Sequence, residues 1–128
     1  MAFWDRWINK STSGAPVVDP QVQAHITELC DVLRRLIALL EADGENHWRN
    51  WMAESLASLE ANDVTGARRL MGAYGGMGSF NDLIIGQSMT EEGFQWAADA
   101  AQTNDQLDAL RGHAYSLATE IVTADRTV

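Results

Sequence analysis

The chain has one cysteine, Cys30, and therefore no internal disulfide. It has one lysine, Lys10; its other bases are all arginine, and acids outnumber bases eighteen to nine. A net charge of −9 is repelled by phosphate backbones and by anionic headgroups, which argues against nucleic acid and against a charged membrane surface. No apolar run approaches the roughly 18 residues that a spanning helix needs, so no membrane span is expected. Asp5 and Arg6 interrupt any apolar core of a secretory signal. With those destinations set aside, the expected location is the cytoplasm. Internal repeats and low-complexity tracts are also lacking.

Several chemical signatures fail on residue type. A Walker loop needs Gly-Lys-Ser/Thr, and no lysine lies near the glycines. The dinucleotide pattern would run Gly76-Met77-Gly78-Ser79-Phe80 and then require glycine where Asn81 stands. Ser79 has Gly78 directly before it, so the Gly-x-Ser-x-Gly elbow is absent. His47 sits among Glu41, Asp43 and Glu45 without a second His or Cys at ligand spacing. Cys30 falls on an apolar helical face with no activating neighbour in sequence. The sequence thus names no catalytic residue, no metal ligand and no cofactor, and a non-enzyme is expected. A small anion at the turn N–H groups, aided by Arg68 or Arg69, is the one phosphate-like reading left open.

What is present is helix. Residues 1–10 carry Phe3, Trp4, Trp7 and Ile8 at i, i+1, i+4, i+5, one face of a short amphipathic helix. Ten residues need something to dock on, either the body of the domain or a partner. Residues 11–20 (STSGAPVVDP) read as a linker. Residues 21–125 form the domain proper. Over 21–42, Val22, Ile26, Leu29, Cys30, Leu33, Leu36, Ile37 and Leu40 keep the helical repeat. Asp19 is placed to cap, Pro20 suits the first turn, and Gly44 suits a left-handed end. Val32 and Leu39 lie off the stripe, predicting burial on more than one side. A second helix over 45–62 uses Asn46 as cap and Trp48, Trp51, Met52, Ser55, Leu56 and Leu59 as stripe. The short link makes it an antiparallel neighbour of the first. A third helix over 63–74 starts at Asp63. Its adjacent Arg68 and Arg69 point different ways, and Gly66 and Gly72 weaken it or admit another backbone. Thr90-Glu91-Glu92 predicts a further helix start, with Phe94, Ala97, Ala98 and Ala101 as its stripe. Gln102-Thr103-Asn104-Asp105 breaks that helix. A last one follows on Leu107, Leu110, Ala114, Leu117, Ala118 and Ile121, fraying after Thr123. The expected fold is an all-α, single-domain bundle of about five helices.

Between the third helix and Thr90 the pattern changes. Residues 74–86 hold four of the ten glycines and interleave Ser79, Asn81 and Asp82 with large apolar groups. Gly75 and Gly76 are expected to end the third helix and Gly78 to turn the chain again. Ser79 and Asp82 have capping-box spacing ahead of a short helical turn, with Phe80, Leu83 and Ile84 on one face. A short strand over Leu83-Ile84-Ile85 is the rival; it would find no partner inside the chain. The block is expected to be a capped corner at 75–86, with Met77, Asn81 and Asp82 at an exposed edge.

The block Tyr74, Gly75, Gly76, Met77, Gly78, Ser79, Phe80, Asn81, Asp82, Leu83 resembles the signature of small, mostly uncharacterised bacterial proteins. Their aromatic-Gly-Gly-Met-Gly-Ser-Phe/Leu-Asn-Asp-Leu block follows helices containing a Trp, here Trp48 or Trp51. The pattern LDALR at 107–111 is also similar, and the likeness spans roughly residues 29–121. The family is one of unknown function, so the resemblance implies a domain boundary and no mechanism. Small, acidic helical proteins of this kind are associated with immunity proteins, which neutralise a toxin by binding it. The expected function is therefore protein binding, with a basic toxin as partner. Two alternatives stand beside it: a small-ligand or enzymatic domain using the glycine stretch, and a self-associating structural protein, a homo-oligomer.

Overall fold

The computed structural model describes residues 19–126. The segment 1–10 with Phe3, Trp4, Trp7 and Ile8, and residues 11–18 of the linker, lie outside the described residues. The elements run α1 (Pro20–Asp43), α2 (Asn46–Glu60), α3 (Thr65–Met71), a 3-10 turn (Phe80–Asp82), β1 (Gln87–Thr90), β2 (Gly93–Trp96) and α4 (Ala100–Arg126).

The first helix follows its sequence closely. Asp19 accepts from the Gln21 N–H at 2.8 Å, Pro20 opens the first turn, and Gly44 closes the helix at φ 81. Helix α1 is the central post. It packs against α2 on one side and α4 on the other, so Val32 is buried with the main stripe of Ile26, Leu29, Cys30, Leu33, Leu36 and Leu40. Side-chain contacts give the directions. Glu41 pairs with Arg49 and Arg34 with Glu60, so α2 runs antiparallel to α1. Glu28 meets His113 while Asp43 reaches Gly86 near the start of α4, so α4 is antiparallel to α1 as well.

Helix α3 crosses α2 at a small-residue contact. A Cβ on Gly66 would lie 2.6 Å from the Ser55 carbonyl oxygen, so glycine is needed there for close approach. The Ser55 hydroxyl beside it is buried without a hydrogen-bond partner. Arg68 and Arg69 diverge as the helical repeat requires: Arg68 bonds Asp125 of α4, and Arg69 bonds Glu54 of α2 at 2.9 Å. Both cations are thus engaged by carboxylates away from the glycines, which removes their help for an anion at the turn.

Five points differ from the sequence expectation. Helix α2 starts at Asn46 itself, with Glu45 as an N-cap that makes no side-chain bond. Asp63 does accept from the Thr65 N–H and hydroxyl, but α3 ends at Met71 with Gly72 as its cap, before Gly75 and Gly76. The region from Thr90 is a β-hairpin, not a helix. Gln87, Ser88, Met89 and Thr90 pair antiparallel with Trp96, Gln95, Phe94 and Gly93. Thr90 caps a two-residue turn: its hydroxyl donates to the Gly93 carbonyl and accepts from the Glu92 N–H. Gly93 at φ 104 is incompatible with a helix interior, and the Phe94-Gln95-Trp96 alternation suits a strand.

The fourth difference is that α4 runs unbroken through residues 102–105. Thr103 bonds the Asp99 carbonyl and Asn104 bonds outward to Ile85. Asn104 also donates to the Ala100 carbonyl, so both side chains bond four residues back along the chain without interrupting the helix. The helix also persists past Thr123, where Asp125 ties its last turn to Arg68. The fifth is the architecture itself: four helices and a small two-stranded sheet among the described residues, in place of five helices. No helix among the described residues is long and apolar enough to cross a membrane.

Candidate functional site

Residues 72–99 connect α3 to α4 and divide into two parts of opposite character. The first is the corner. Ser79 accepts from the Asn81 N–H at 3.3 Å and so opens the 3-10 turn. Asp82 reaches back one residue further than a capping box, accepting from the Gly78 N–H at 2.8 Å. Gly78 lies at φ 80. Phe80 is fully buried, and so is Ile85. Ile84 points out at 58% exposure, which corrects the expectation that it shares a face with Phe80. Residues 83–85 form neither helix nor strand.

The corner is held by α4. Arg111 donates from Nη1 to the carbonyls of Phe80 (2.8 Å) and Leu83 (3.0 Å), and from Nη2 to Asp108. Its guanidinium lies 6.0 Å from the centre of the Phe80 ring. One side chain thus satisfies two carbonyls of the turn while its charge is balanced within its own helix. Asn104 repeats the device at Ile85, accepting from its N–H at 2.9 Å and donating to its carbonyl at 2.8 Å. Asp43, at the end of α1, accepts from the Gly86 N–H at 2.8 Å. Gly86 is required twice over: φ is 88, and a Cβ would lie 2.9 Å from Cβ of Ala100.

An aromatic row crosses the same region. Trp51, Trp48, Phe80, Tyr74 and Tyr115 follow at ring separations of 5.5, 5.4, 5.6 and 4.9 Å. Trp51 donates to the Arg69 carbonyl, and the Tyr74 hydroxyl donates to the Arg111 carbonyl, each at 2.7 Å. Burial pushes the Tyr74 phenol well above its ordinary value, outweighing the opposing pull of the Arg111 charge. His47 packs edge-on to Trp48 at 4.6 Å. The Cys30 thiol is also raised, by burial first, in keeping with a core residue.

At its outer end the row opens into a shallow cleft of about 570 Å³, lined by Tyr74, Gly75, Asn81, Asp108, Arg111, Gly112 and Tyr115. The structure therefore brings Tyr74, Gly75 and Asn81 of the signature block together with one face of α4. Ser79, Phe80 and Asp82 are used inside the corner. Gly76, Met77 and Gly78 form its exposed tip, where Met77 is 100% exposed. The charged groups of the cleft already have partners: Arg111 holds two carbonyls and Asp108 holds Arg111. What the cleft offers a visitor is the faces of Tyr74 and Tyr115 and the free amide of Asn81. No cluster of three metal-ligating side chains occurs among the described residues.

The second part is the hairpin β1–β2, every residue of which except Gly93 is exposed. Cross-strand partners share a face, and the strand period is two. Gln87, Met89, Phe94 and Trp96 therefore lie on one face, with Ser88, Thr90, Gly93 and Gln95 on the other. Met89 and Phe94 are each 67% exposed and Trp96 is 56% exposed. Glu91 and Glu92 stand at the tip of this apolar face. Sequence reasoning did not find it, because Phe94 also fits a helical stripe with Ala97, Ala98 and Ala101. The alternation of Met89, Phe94 and Trp96 about the two glutamates was the available signal.

Neither the curated proteins nor the solved structures contain a match to the chain. A family model does match part of it. The span includes Trp48, Trp51 and the block from Tyr74 through Leu83, and it excludes Arg111. It runs from the last turn of α1 through α2, α3, the corner and β1. Over residues 41–93 the chain is similar to a domain of unknown function (DUF6966).

Proposed function

We propose that this protein is a binding domain that captures a basic protein partner through the hairpin, acting as an immunity protein that neutralises a toxin by direct contact. The carrying observation is the amphipathic hairpin: Met89, Phe94 and Trp96 present one apolar face to solvent at the edge of an acidic protein. A two-stranded hairpin is marginal by itself in water. An exposed aromatic cluster on such an element has the composition of an interface centre, with Trp and Phe as anchors. The net charge of −9 favours encounter with a basic partner and disfavours nucleic acid. In a reducing cytoplasm the lone Cys30 stays a free thiol. The corner supports this role as a rigid mount, since Arg111, Asn104 and Asp43 fix the chain up to the root of β1.

The test is co-expression with the product of the adjacent gene in a growth assay. Protection of the cells, lost in the double variant Phe94→Ser/Trp96→Ser with helix content unchanged by circular dichroism, is the expected result. Protection that survives this variant, or the absence of a complex at low salt, overturns the reading.

A further inference from the structure

Gly112 has no reason within the packing to be glycine. It sits in the interior of α4 with φ outside the left-handed region, where glycine weakens a helix relative to alanine. A Cβ placed on it meets no atom of the described residues within 4 Å. At Gly66, by contrast, a Cβ strikes the Ser55 carbonyl oxygen. What a methyl group at Gly112 would enter is the cleft lined by Tyr74, Asn81, Asp108 and Tyr115. We propose that this cleft binds an alkylguanidinium group, laid against the tyrosine rings beside Gly112 with its N–H edge turned to Asp108 and Asn81.

The groups lining the cleft select this ligand. Asp108 spends Oδ1 on Arg111 and keeps Oδ2 as an acceptor. The corner engages Asn81 through its backbone N–H, and its side-chain amide has no partner among the described residues. The rings of Tyr74 and Tyr115 are 4.9 Å apart and inclined at 57°. They touch each other, so a visitor lies on their surface and not between them. The Tyr74 ring is already fixed by its bond to the Arg111 carbonyl, which lowers the ordering cost of binding. A guanidinium is flat and delocalised. It stacks on aromatic faces, and its donors form a fork that fits a carboxylate.

Charge sets the sign of the ligand. An anion would meet the Asp108 side chain, 63% exposed, ahead of the Arg111 side chain at 13%. Arg111 is balanced by Asp108, and its Nη1 is committed to two carbonyls. The net charge of −9 adds a field that gathers cations. A lysine ammonium shares that field, but it is a point charge with no flat face to lay on the rings. The cleft volume of about 570 Å³ falls within the roughly 300–1,000 Å³ of small-molecule sites. A free small molecule and an arginine of a protein partner would both supply the same group. The site is separate from the hairpin face and does not rest on the role assigned to that face.

The experiment is a titration of the full chain with N-acetylarginine methylamide, followed by ¹H–¹⁵N correlation spectra. Saturable shifts centred on Gly75, Asn81 and Gly112 are expected, with a Kd of about 1 mM for a probe of this size. The citrulline analogue, neutral and of the same shape, is expected not to saturate, and the lysine analogue to bind more weakly. Tyr115→Leu is expected to weaken binding about fivefold, whereas Tyr115→Phe keeps the ring and stays within about twofold. Gly112→Ala is the sharpest variant: it is expected to melt at a higher temperature than the parent and to lose the saturable shifts. Free arginine binding tighter than the capped form assigns the site to a small molecule, and the reverse order assigns it to a protein side chain. The proposal is overturned by a full chain that shows no saturable shifts, whatever covers the cleft. It is overturned equally by citrulline or lysine analogues that bind as well as arginine, by a Gly112→Ala chain that binds like the parent, or by one that is less stable than it. Phe94→Ser/Trp96→Ser is expected to titrate unchanged; lost titration there would place the site elsewhere. Loss of toxin protection in that variant and loss of binding in Gly112→Ala are therefore separate results.

Discussion

The corner and the hairpin are neighbours in the chain and opposites in construction. Both lie between α3 and α4, both depend on glycines at positive φ, and both carry large apolar side chains. In the corner those side chains turn inward. Phe80 and Ile85 are buried, and their backbone groups are taken by Arg111 and Asn104. In the hairpin Met89, Phe94 and Trp96 turn outward, and the strands bond only to each other and to the root at Gly86. The block with the more distinctive sequence is therefore the anchored one, and the plainer sequence after it carries the exposed aromatic surface. A glycine-rich motif invites a reading as a binding loop. Here its polar residues are largely occupied with holding a turn against α4, and the exposed aromatic face lies on the element that turn supports.

The sharpest way to break this comparison is to truncate one phenylalanine on each side. Phe80→Ala empties a fully buried site and is expected to cost about 3–5 kcal/mol in urea denaturation. Phe94→Ala, at 67% exposure, is expected to stay within about 0.5 kcal/mol of the parent. Equal losses would mean that the hairpin packs on the body more than its exposure shows.

Arg111→Leu comes next. It leaves the Leu83 carbonyl without its Arg111 donor and the Phe80 carbonyl with only the Leu83 N–H at 3.3 Å, and a loss of about 2–3 kcal/mol is expected. Hydrogen exchange should rise over the corner first, with the centre of α1 still protected. Uniform exchange across the molecule would show that the corner is not a separable unit.

The third prediction concerns alkaline pH. Tyr74 has its folded-state pKa raised above the unfolded value of about 10. The folded chain holds that proton more tightly, so the contribution is fully present below pH ~10 and is lost as pH rises above it. Stability should decline through that alkaline range, and Tyr74→Phe should flatten the decline. At neutral pH the same variant loses only the bond to the Arg111 carbonyl, about 1 kcal/mol.

The smallest effect is expected away from both parts. Ser55→Ala removes a buried hydroxyl that has no partner and should be neutral or stabilising by up to about 1 kcal/mol. A clear loss of stability would reveal an unseen partner for that hydroxyl at the α2–α3 crossing.

Much of the helical body was legible because its signals are local. Asp19, Pro20 and Gly44 mark the ends of α1, and the 3.6-residue repeat from Ile26 to Leu40 and from Leu107 to Ile121 marks what is buried. Arg68 and Arg69 were legible as a diverging pair for the same reason. The hairpin was misread where two local signals competed. Thr90-Glu91-Glu92 is good chemistry for a helix start and also for a two-residue turn, and Gly93 decides for the turn. The break expected at residues 102–105 does not occur: Thr103 and Asn104 donate back to the Asp99 and Ala100 carbonyls, and Asn104 also bonds Ile85, nineteen residues earlier.

The sequence by itself determined a helical protein with an acidic surface, an apolar stripe on each long helix and a tight corner after α3, because periodicity, capping and charge act between near neighbours. Only the tertiary structure decided that Arg111 would close over the corner, that Tyr74 and Tyr115 would meet across a cleft, and that Met89, Phe94 and Trp96 would share an exposed face. Those pairings depend on how α4 lies against α1 and α3 and on strand register, and neither is encoded within a few residues of the groups it brings together.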